Sequence, residues 1–141
     1  MMQSMSEMGV LDRLRFLTIK AEQAIERTRE VIEYNQFLVT PEAMDLFDAT
    51  ILRIQIVGEM LKQIDEITDG NLLCPLYPEI PWRSVFGMRN FISHEYCMVD
   101  PEKIFYTLKD DFPPLIETLH RIIADCEAGK HSNLVLKNRN K

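Results

Sequence analysis

The sequence predicts an all-α fold, an antiparallel bundle of four to five helices in one domain. Apolar residues recur at spacings of three and four along most of the chain, which is the period of one face of an α-helix. The 141 residues include only five glycines, and long stretches contain neither glycine nor proline. That composition disfavours a turn-rich β architecture.

The first two helices are predicted from apolar stripes. The first begins at Leu11 and is expected to fade near Phe37. Thr40 and Pro41 then provide an N-cap and a first-turn proline for a second helix that extends to about Thr68. Because this second helix is apolar nearly all round, we expect it to be buried on more than one side, in the core or between the core and a subunit interface.

Gly58 lies in the middle of the second helix, where it costs roughly 1 kcal/mol of helix propensity relative to alanine. We therefore expect a neighbouring element to pack closely against it. Glu59, beside it, is the charged residue that we expect to be drawn toward the interior. Asp69 and Gly70 are expected to end the helix.

Prolines divide the second half of the chain. A third helix is predicted to open at Pro81, after an ordered loop, and a fourth at Asp100, which is placed to act as its N-cap. Pro113 and Pro114 should break or kink the last element near residues 110–112, because proline has no N–H to donate.

The chain divides into a short lead of residues 1–9, the bundle of residues 10–129 and a basic polar tail of residues 130–141. The net charge is −6, but the tail contains four of the 16 basic residues and none of the 22 acidic ones, which leaves a balance of −10 in the rest. An acidic body argues against nonspecific binding of nucleic acid over a broad face, but it permits a small cationic site. The tail is expected to be flexible.

The sequence favours a cytoplasmic protein and suggests neither a cofactor nor a metal. Cys74, Cys97 and Cys126 are scattered and odd in number, so neither a disulfide framework nor a zinc site is indicated. The N-terminus lacks the pattern of a signal peptide, and no segment approaches the roughly 18 apolar residues of a membrane span. No glycine-rich phosphate loop is present.

A polar segment after the only tryptophan carries the residues with the most chemistry. Arg89 is predicted at the centre of an apolar stripe of the third helix, where an unpaired guanidinium is very costly. Three explanations stay open: an ion pair with a residue such as Glu59, a polar seam between subunits, or an anion site. Asn90 and His94 are four residues apart and so share a helix face.

Arg89 and His94 are five residues apart, about 140° around a helix axis, so one unbroken helix does not direct both toward the same small ligand. Either the helix loosens before His94, or a second copy of the chain brings its own pair across a symmetry axis. These residues suit metal-independent cleavage of RNA, because a histidine can transfer protons and an arginine can stabilise charge that builds on phosphorus. The simpler interpretation is a core histidine with satisfied hydrogen bonds beside a structural arginine.

The same segment resembles the signature R-N-x-x-x-H-x-Y of the HepT-like branch of HEPN-domain proteins. Other stretches resemble motifs of that family in the same order: residues 56–59 in the second helix, residues 78–82 and 87–90 before and into the signature, and residues 111–115 at the entry to the last helix. The resemblance covers about residues 10–128, and it implies a HEPN-like helical bundle that forms a homodimer.

By this resemblance, Arg89, Asn90 and His94 belong to a ribonuclease site at the homodimer cleft, with Asn90 as a polar support. HepT-like proteins act as the toxin of a toxin–antitoxin pair whose antitoxin is a minimal nucleotidyltransferase of the MntA type. The antitoxin silences the toxin by attaching AMP to the tyrosine of the signature, here Tyr96. The implied partners are a second copy, the nucleotidyltransferase and RNA, whereas neither DNA nor a membrane is expected.

Two functions of different classes follow. The first is a dimeric endoribonuclease toxin. The second is a non-enzymatic interaction module that docks a nucleotidyltransferase and is modified at Tyr96. Cleavage of RNA in EDTA, and its dependence on His94, would distinguish them.

Overall fold

The computed structural model describes residues 8–90 and 99–135. Within these ranges the chain forms helices and turns but no strand, so the predicted all-α fold is confirmed. Two 3₁₀ turns form at Tyr34–Leu38 and Met88–Asn90, and a π-helical segment at Thr107–Asp111. The α-helices are α1 (Val10–Arg27), α2 (Pro41–Ile67), α3 (Leu73–Leu76), α4 (Trp82–Gly87), α5 (Pro101–Tyr106), α6 (Phe112–Glu127) and α7 (Ser132–Val135).

The core of the bundle lies around α2. Helix α1 packs along one side of α2, while α4 and the 3₁₀ turn after it pack against another, so the expected burial of α2 on more than one side is confirmed. Thr40 caps α2 as predicted, because its Oγ1 accepts a hydrogen bond from the backbone N–H of Ala43 at 3.0 Å. Asp69 and Gly70 end the helix with positive φ angles of 53° and 73°. None of the described helices is both long and apolar enough to cross a membrane.

Helix α1 ends ten residues earlier than predicted, at Arg27 rather than near Phe37. The hydroxyl of Thr28 donates to the carbonyl oxygen of Ala24 at 2.7 Å, and the backbone turns there. The side-chain oxygen of Gln36 then accepts from the backbone N–H groups of residues 32 and 33, in place of the carbonyls that a continued helix would supply. Side-chain competition for backbone partners therefore overrides the apolar period.

The prolines act as expected, but through a π-helical segment rather than a break. Asp100 caps α5 by accepting from the backbone N–H of Glu102 at 2.9 Å. Pro113 and Pro114 cannot donate to the carbonyls one turn earlier, and the segment Thr107–Asp111 adopts the wider π-helical pattern directly before them. The last element is thereby divided into α5 and α6.

Part of the expected flexible tail is folded. Residues 132–135 form α7, and its Leu134 and Val135 are partly buried against the core. His131 also has a partner that the sequence did not indicate: its Nε2 lies 2.8 Å from the hydroxyl of Tyr77. Residues 136–141 lie outside the described part of the chain.

Tyr77 ties the C-terminal helices to the start of α4. Its hydroxyl donates to Asp125 Oδ2 at 2.6 Å, so its single proton is used there and His131 Nε2 must donate to the phenol oxygen. Its backbone carbonyl accepts from the indole N–H of Trp82 at 2.7 Å. The hydrogen bond from Tyr77, followed by that from Lys130, lowers the pKa of Asp125 below its usual range.

Tyr77→Phe should lower the free energy of unfolding at neutral pH, and this free energy should then fall less steeply as the pH is lowered. A carboxyl whose pKa is lowered by folding adds stability above its unfolded pKa of about 4, and this stability is lost as pH falls through the folded pKa. The variant keeps the ring but loses the donor to Asp125. Urea unfolding of wild type and variant between pH 2 and 7 measures the difference.

The control for this comparison is Tyr34→Phe, since Tyr34 is 42% exposed and no hydrogen bond of its hydroxyl is found among the described residues. It should leave the pH dependence of unfolding unchanged. Coincident stability curves for Tyr77→Phe and wild type would show that the Tyr77–Asp125 contact contributes nothing to folding.

Candidate active site

The candidate site is built on α4 and the 3₁₀ turn Met88–Asn90 that continues it. Trp82, Val85 and Met88 recur at a spacing of three, and all three are buried against the bundle. This stripe anchors α4 along its length. The polar residues between and after these anchors are therefore held in place by the core.

Arg89 does not lie at the centre of the apolar stripe, as the sequence suggested, but is half-buried at its edge. A 3₁₀ turn advances by about 120° per residue, against about 100° in an α-helix. The change of helix type rotates Arg89 away from the side of Val85 and toward the side of Phe86. Met88 takes the buried position on the stripe instead.

Gly58 of α2 permits this turn to lie directly against the helix. A Cβ atom on Gly58 would lie 2.7 Å from the backbone nitrogen of Arg89, and 3.0 Å from both the carbonyl oxygen of Val85 and the Cβ of Met88. The expectation that a neighbour packs closely on Gly58 is confirmed. The neighbour is the backbone that carries Arg89.

A cavity of about 410 Å³ opens beside this turn, and we call it the cationic groove. Its wall includes Phe86, whose ring lies 6.3 Å from that of Trp82 and 5.2 Å below the Nζ of Lys62. Among the described residues, no carboxylate lines it, although the chain as a whole is acidic. The lining residues are Lys62, Cys74, Arg83, Phe86, Gly87, Arg89 and Asn90.

The structure does not bring Glu59 to Arg89. Glu59 is exposed, and its carboxylate accepts a hydrogen bond from the Nε2 of Gln63 at 3.4 Å. Arg89 forms no ion pair with any carboxylate of residues 8–90 and 99–135. The charged residue that is drawn into the interior is Arg13, whose Nε donates to Gln63 Oε1 at 3.1 Å. Of the three explanations for Arg89, the structural ion pair with Glu59 is thus not found.

The other predicted site residues, His94 and Tyr96, lie outside the described residues, and so does Cys97. The distance between Arg89 and His94 therefore stays a prediction, as does the modification of Tyr96. Asn90, the polar support of the predicted set, is described: it is exposed and lines the cationic groove with Arg89.

A second cavity of about 510 Å³ lies across the end of α4 and has a different character. It is lined mainly by apolar groups, and its charged lining residues are three acids and one base, namely Glu79, Asp110, Asp111 and Lys103. Burial, and then the neighbouring charge of Asp110, raise the pKa of Asp111. Its carboxylates would repel a phosphate, so the cationic groove is the better candidate for an anionic ligand. Within the described residues, no group of three or more His, Cys, Asp or Glu is arranged to hold a metal ion.

The fold and the groove define a helical bundle with an arginine in a cation-lined groove, and comparison with known proteins gives the family. The ribonuclease HepT-like family model matches residues 21–122. A protein of Thermococcus cleftensis named "Probable ribonuclease HepT" is 34% identical over 74% of this chain and 86% of its own length. A Methanocaldococcus jannaschii protein named "Putative RNase" is 28% identical over 79% of this chain and 94% of its own length. No solved structure matches significantly. The chain belongs to the HepT-like ribonuclease family.

Sequence reasoning missed two of the groove's cations, Lys62 and Arg83. A signal for both was present. Lys62 follows Gly58 by four residues and so lies on the same face of α2, while Arg83, Phe86 and Asn90 recur at helical spacing along α4. The signal could be interpreted only once the packing of α4 on Gly58 was known.

Proposed function

We propose that this protein is a metal-independent endoribonuclease whose active site is formed by Arg89, Asn90 and His94 at the cleft between two copies of the chain. The observation that carries the proposal is Arg89 itself, which lies on a core-anchored turn in a groove whose described lining contains cations and no carboxylate. Membership of the HepT-like ribonuclease family supports the same function.

The proposed reaction is the transfer of a phosphoryl group from the 5′-oxygen of one nucleotide to the 2′-oxygen of the nucleotide before it in the RNA strand. The imidazole of one His94 accepts the proton of a ribose 2′-hydroxyl as its oxygen attacks the adjacent phosphorus. The bond from phosphorus to the 5′-oxygen breaks, and a water molecule supplies the proton that this oxygen takes up. Arg89 stabilises the charge on the non-bridging oxygens in between. The products are a 2′,3′-cyclic phosphate and a 5′-hydroxyl.

Two copies are part of the proposal for a geometric reason. Arg89 and His94 are separated by about 140° on a continuous helix, so a symmetry axis that pairs two chains offers a direct way to bring one of each to the same phosphate.

The proposed biological role is that of the toxin in a toxin–antitoxin pair. The partner is a minimal nucleotidyltransferase that attaches AMP to Tyr96. An added AMP carries bulk and negative charge to within two residues of His94, where it repels an RNA backbone. This role rests on the resemblance of the signature segment to the HepT-like family.

The test is the chemistry of the RNA ends. Purified protein in EDTA should cleave an RNA oligonucleotide and leave 2′,3′-cyclic phosphate and 5′-hydroxyl ends, which mass spectrometry of the fragments identifies. An oligonucleotide with a single 2′-deoxyribose at the cleaved position is the matched control and should stay intact, since it lacks the attacking hydroxyl.

Fragments with 3′-hydroxyl ends, or cleavage of the deoxy-substituted control, would exclude this mechanism. If the protein leaves RNA intact while a nucleotidyltransferase labels Tyr96, the non-enzymatic interaction module is the correct function.

A further inference from the structure

We infer that Lys62 and Arg83 form a second phosphate-binding subsite, which holds the RNA backbone next to the phosphate that reacts at Arg89. The inference rests on the proposed function and extends it from the reacting phosphate to the strand around it. Its ligand is the phosphodiester of a neighbouring nucleotide in single-stranded RNA.

The first support is position. Lys62 projects from α2 and Arg83 from α4, and both line the groove that also contains Arg89 and Asn90. Arg83, Phe86 and Asn90 follow one another at spacings of three and four along α4 and the turn after it. The cations are thus arranged along one groove that ends at the candidate site.

The second support is the set of contacts that the two cations make. The Nζ of Lys62 lies 5.2 Å from the centroid of the Phe86 ring, an attractive cation–π contact that leaves its charge in place. Lys62 also forms a long ion pair with Asp65, whose Oδ2 lies 3.8 Å from its Nζ. Arg83 is exposed and forms no ion pair with the carboxylates of the described residues.

The third support is charge contrast. The chain up to residue 129 has a balance of −10, so a groove whose described lining contains three cations and no carboxylate is a local exception. An RNA strand with one phosphate at Arg89 necessarily carries further phosphates on either side of it. The three cations of the groove can contact successive phosphates of such a strand, whereas nothing requires an acidic protein segment to have a charge opposite each of them.

The expected result concerns the salt dependence of RNA binding. Each phosphate contact with a single strand contributes about 0.7 to the slope of log Kd against log salt concentration. The double variant Lys62→Gln/Arg83→Gln should reduce that slope by about 1.4 and weaken binding about tenfold at moderate salt. Fluorescence anisotropy with a 2′-O-methyl RNA, which cannot be cleaved by attack of the 2′-hydroxyl, measures both.

The matched control is Lys20→Gln/Arg27→Gln on α1, which removes the same charge from residues that do not line the groove. It should retain the wild-type slope. The conservative variant Lys62→Arg/Arg83→Lys should also retain it, because the charges remain. In cleavage assays the groove variant should raise KM and leave kcat unchanged, which a merely structural role would not produce.

Failure of the subsite and failure of the proposed function give different results. If the wild type cleaves RNA while the groove variant shows the slope and KM of the control, the subsite is wrong and the nuclease proposal stands. If the groove variant alone lowers the slope but no RNA is cleaved, the subsite stands and the nuclease proposal fails. An equal decrease in the salt-dependence slope for the groove variant and the α1 control would show that the effect comes from net charge alone, and it would overturn the subsite.

Discussion

Gly58→Ala should lower the free energy of unfolding by up to about 2 kcal/mol, although alanine is the better helix former. Alanine would add about 1 kcal/mol of helix propensity, whereas overpacking a core contact costs about 1–3 kcal/mol. The added Cβ would lie 2.7 Å from the backbone nitrogen of Arg89 and 3.0 Å from the carbonyl oxygen of Val85. Backbone atoms cannot rotate out of the way as a side chain can, so we expect the cost of overpacking to exceed the gain in helix propensity. Urea unfolding measures the change.

Gly87→Ala is the matched control for this substitution. Gly87 ends α4, close to the same turn, but a Cβ atom there meets no heavy atom within 4 Å. The same chemical change should therefore leave stability unchanged or raise it by up to about 1 kcal/mol. If both variants change stability alike, the close approach of the turn to α2 does not constrain the fold.

Gly58→Ala should also reduce RNA cleavage, because the atom it displaces belongs to the residue that carries the proposed catalytic guanidinium. A misplacement of about 1 Å can cost about 100-fold in rate. Ile122→Val provides the comparison: it truncates a fully buried side chain of α6, costs about 0.5–1.5 kcal/mol and lies outside the residues that line the groove. Equal activity in the two variants would show that the position of the Arg89 backbone does not determine the rate of cleavage.

Local signals in the sequence were sufficient to predict the helices that Thr40 and Asp100 cap and the interruption before Pro113. In each case a cap or a missing N–H acts within one turn. The close contact at Gly58 was also predicted, since a glycine inside a long helix indicates a neighbour. The identity of that neighbour was not predicted, because it depends on how α2 meets a turn that is distant from it in the sequence.

The errors have a common physical origin. Helical periodicity extended α1 to Phe37, but the Thr28 hydroxyl and the Gln36 side chain provide alternative partners for the backbone. The same periodicity placed Arg89 on the buried stripe, because it assumes 100° per residue through a segment that becomes a 3₁₀ turn. Hydrogen bonds of individual side chains and a change of helix type leave no trace in an apolar period.

Arg89→Ala and His94→Ala should each reduce kcat by about 10³-fold, and the double variant should be little worse than either. The two residues act on the same phosphate, so once one is lost the other has no productive transition state to stabilise. Arg89→Lys should restore only part of the rate, because an ammonium cannot form the paired hydrogen bonds that a guanidinium makes with two phosphoryl oxygens. Single-turnover cleavage of a labelled RNA measures each rate.

Arg83→Ala is the control for charge, since Arg83 lines the same groove. It should raise KM while kcat stays at the wild-type value. A fall in kcat with Arg83→Ala as large as that with Arg89→Ala would mean that the groove responds to net charge and that Arg89 has no distinct catalytic part.

Mixing the two inactive chains tests whether one site draws on two copies. If Arg89 of one chain acts with His94 of the other, a dimer of one Arg89→Ala and one His94→Ala chain contains one intact site and one that lacks both residues. A 1:1 mixture refolded together should then recover about a quarter of the wild-type activity, because half of the dimers are mixed and each has one working site of two. If each site uses a pair from its own chain, every site in the mixture is defective and no activity returns. Recovery would therefore show that Arg89 and His94 act together across a dimer axis, and its absence would show that each site draws on a single chain.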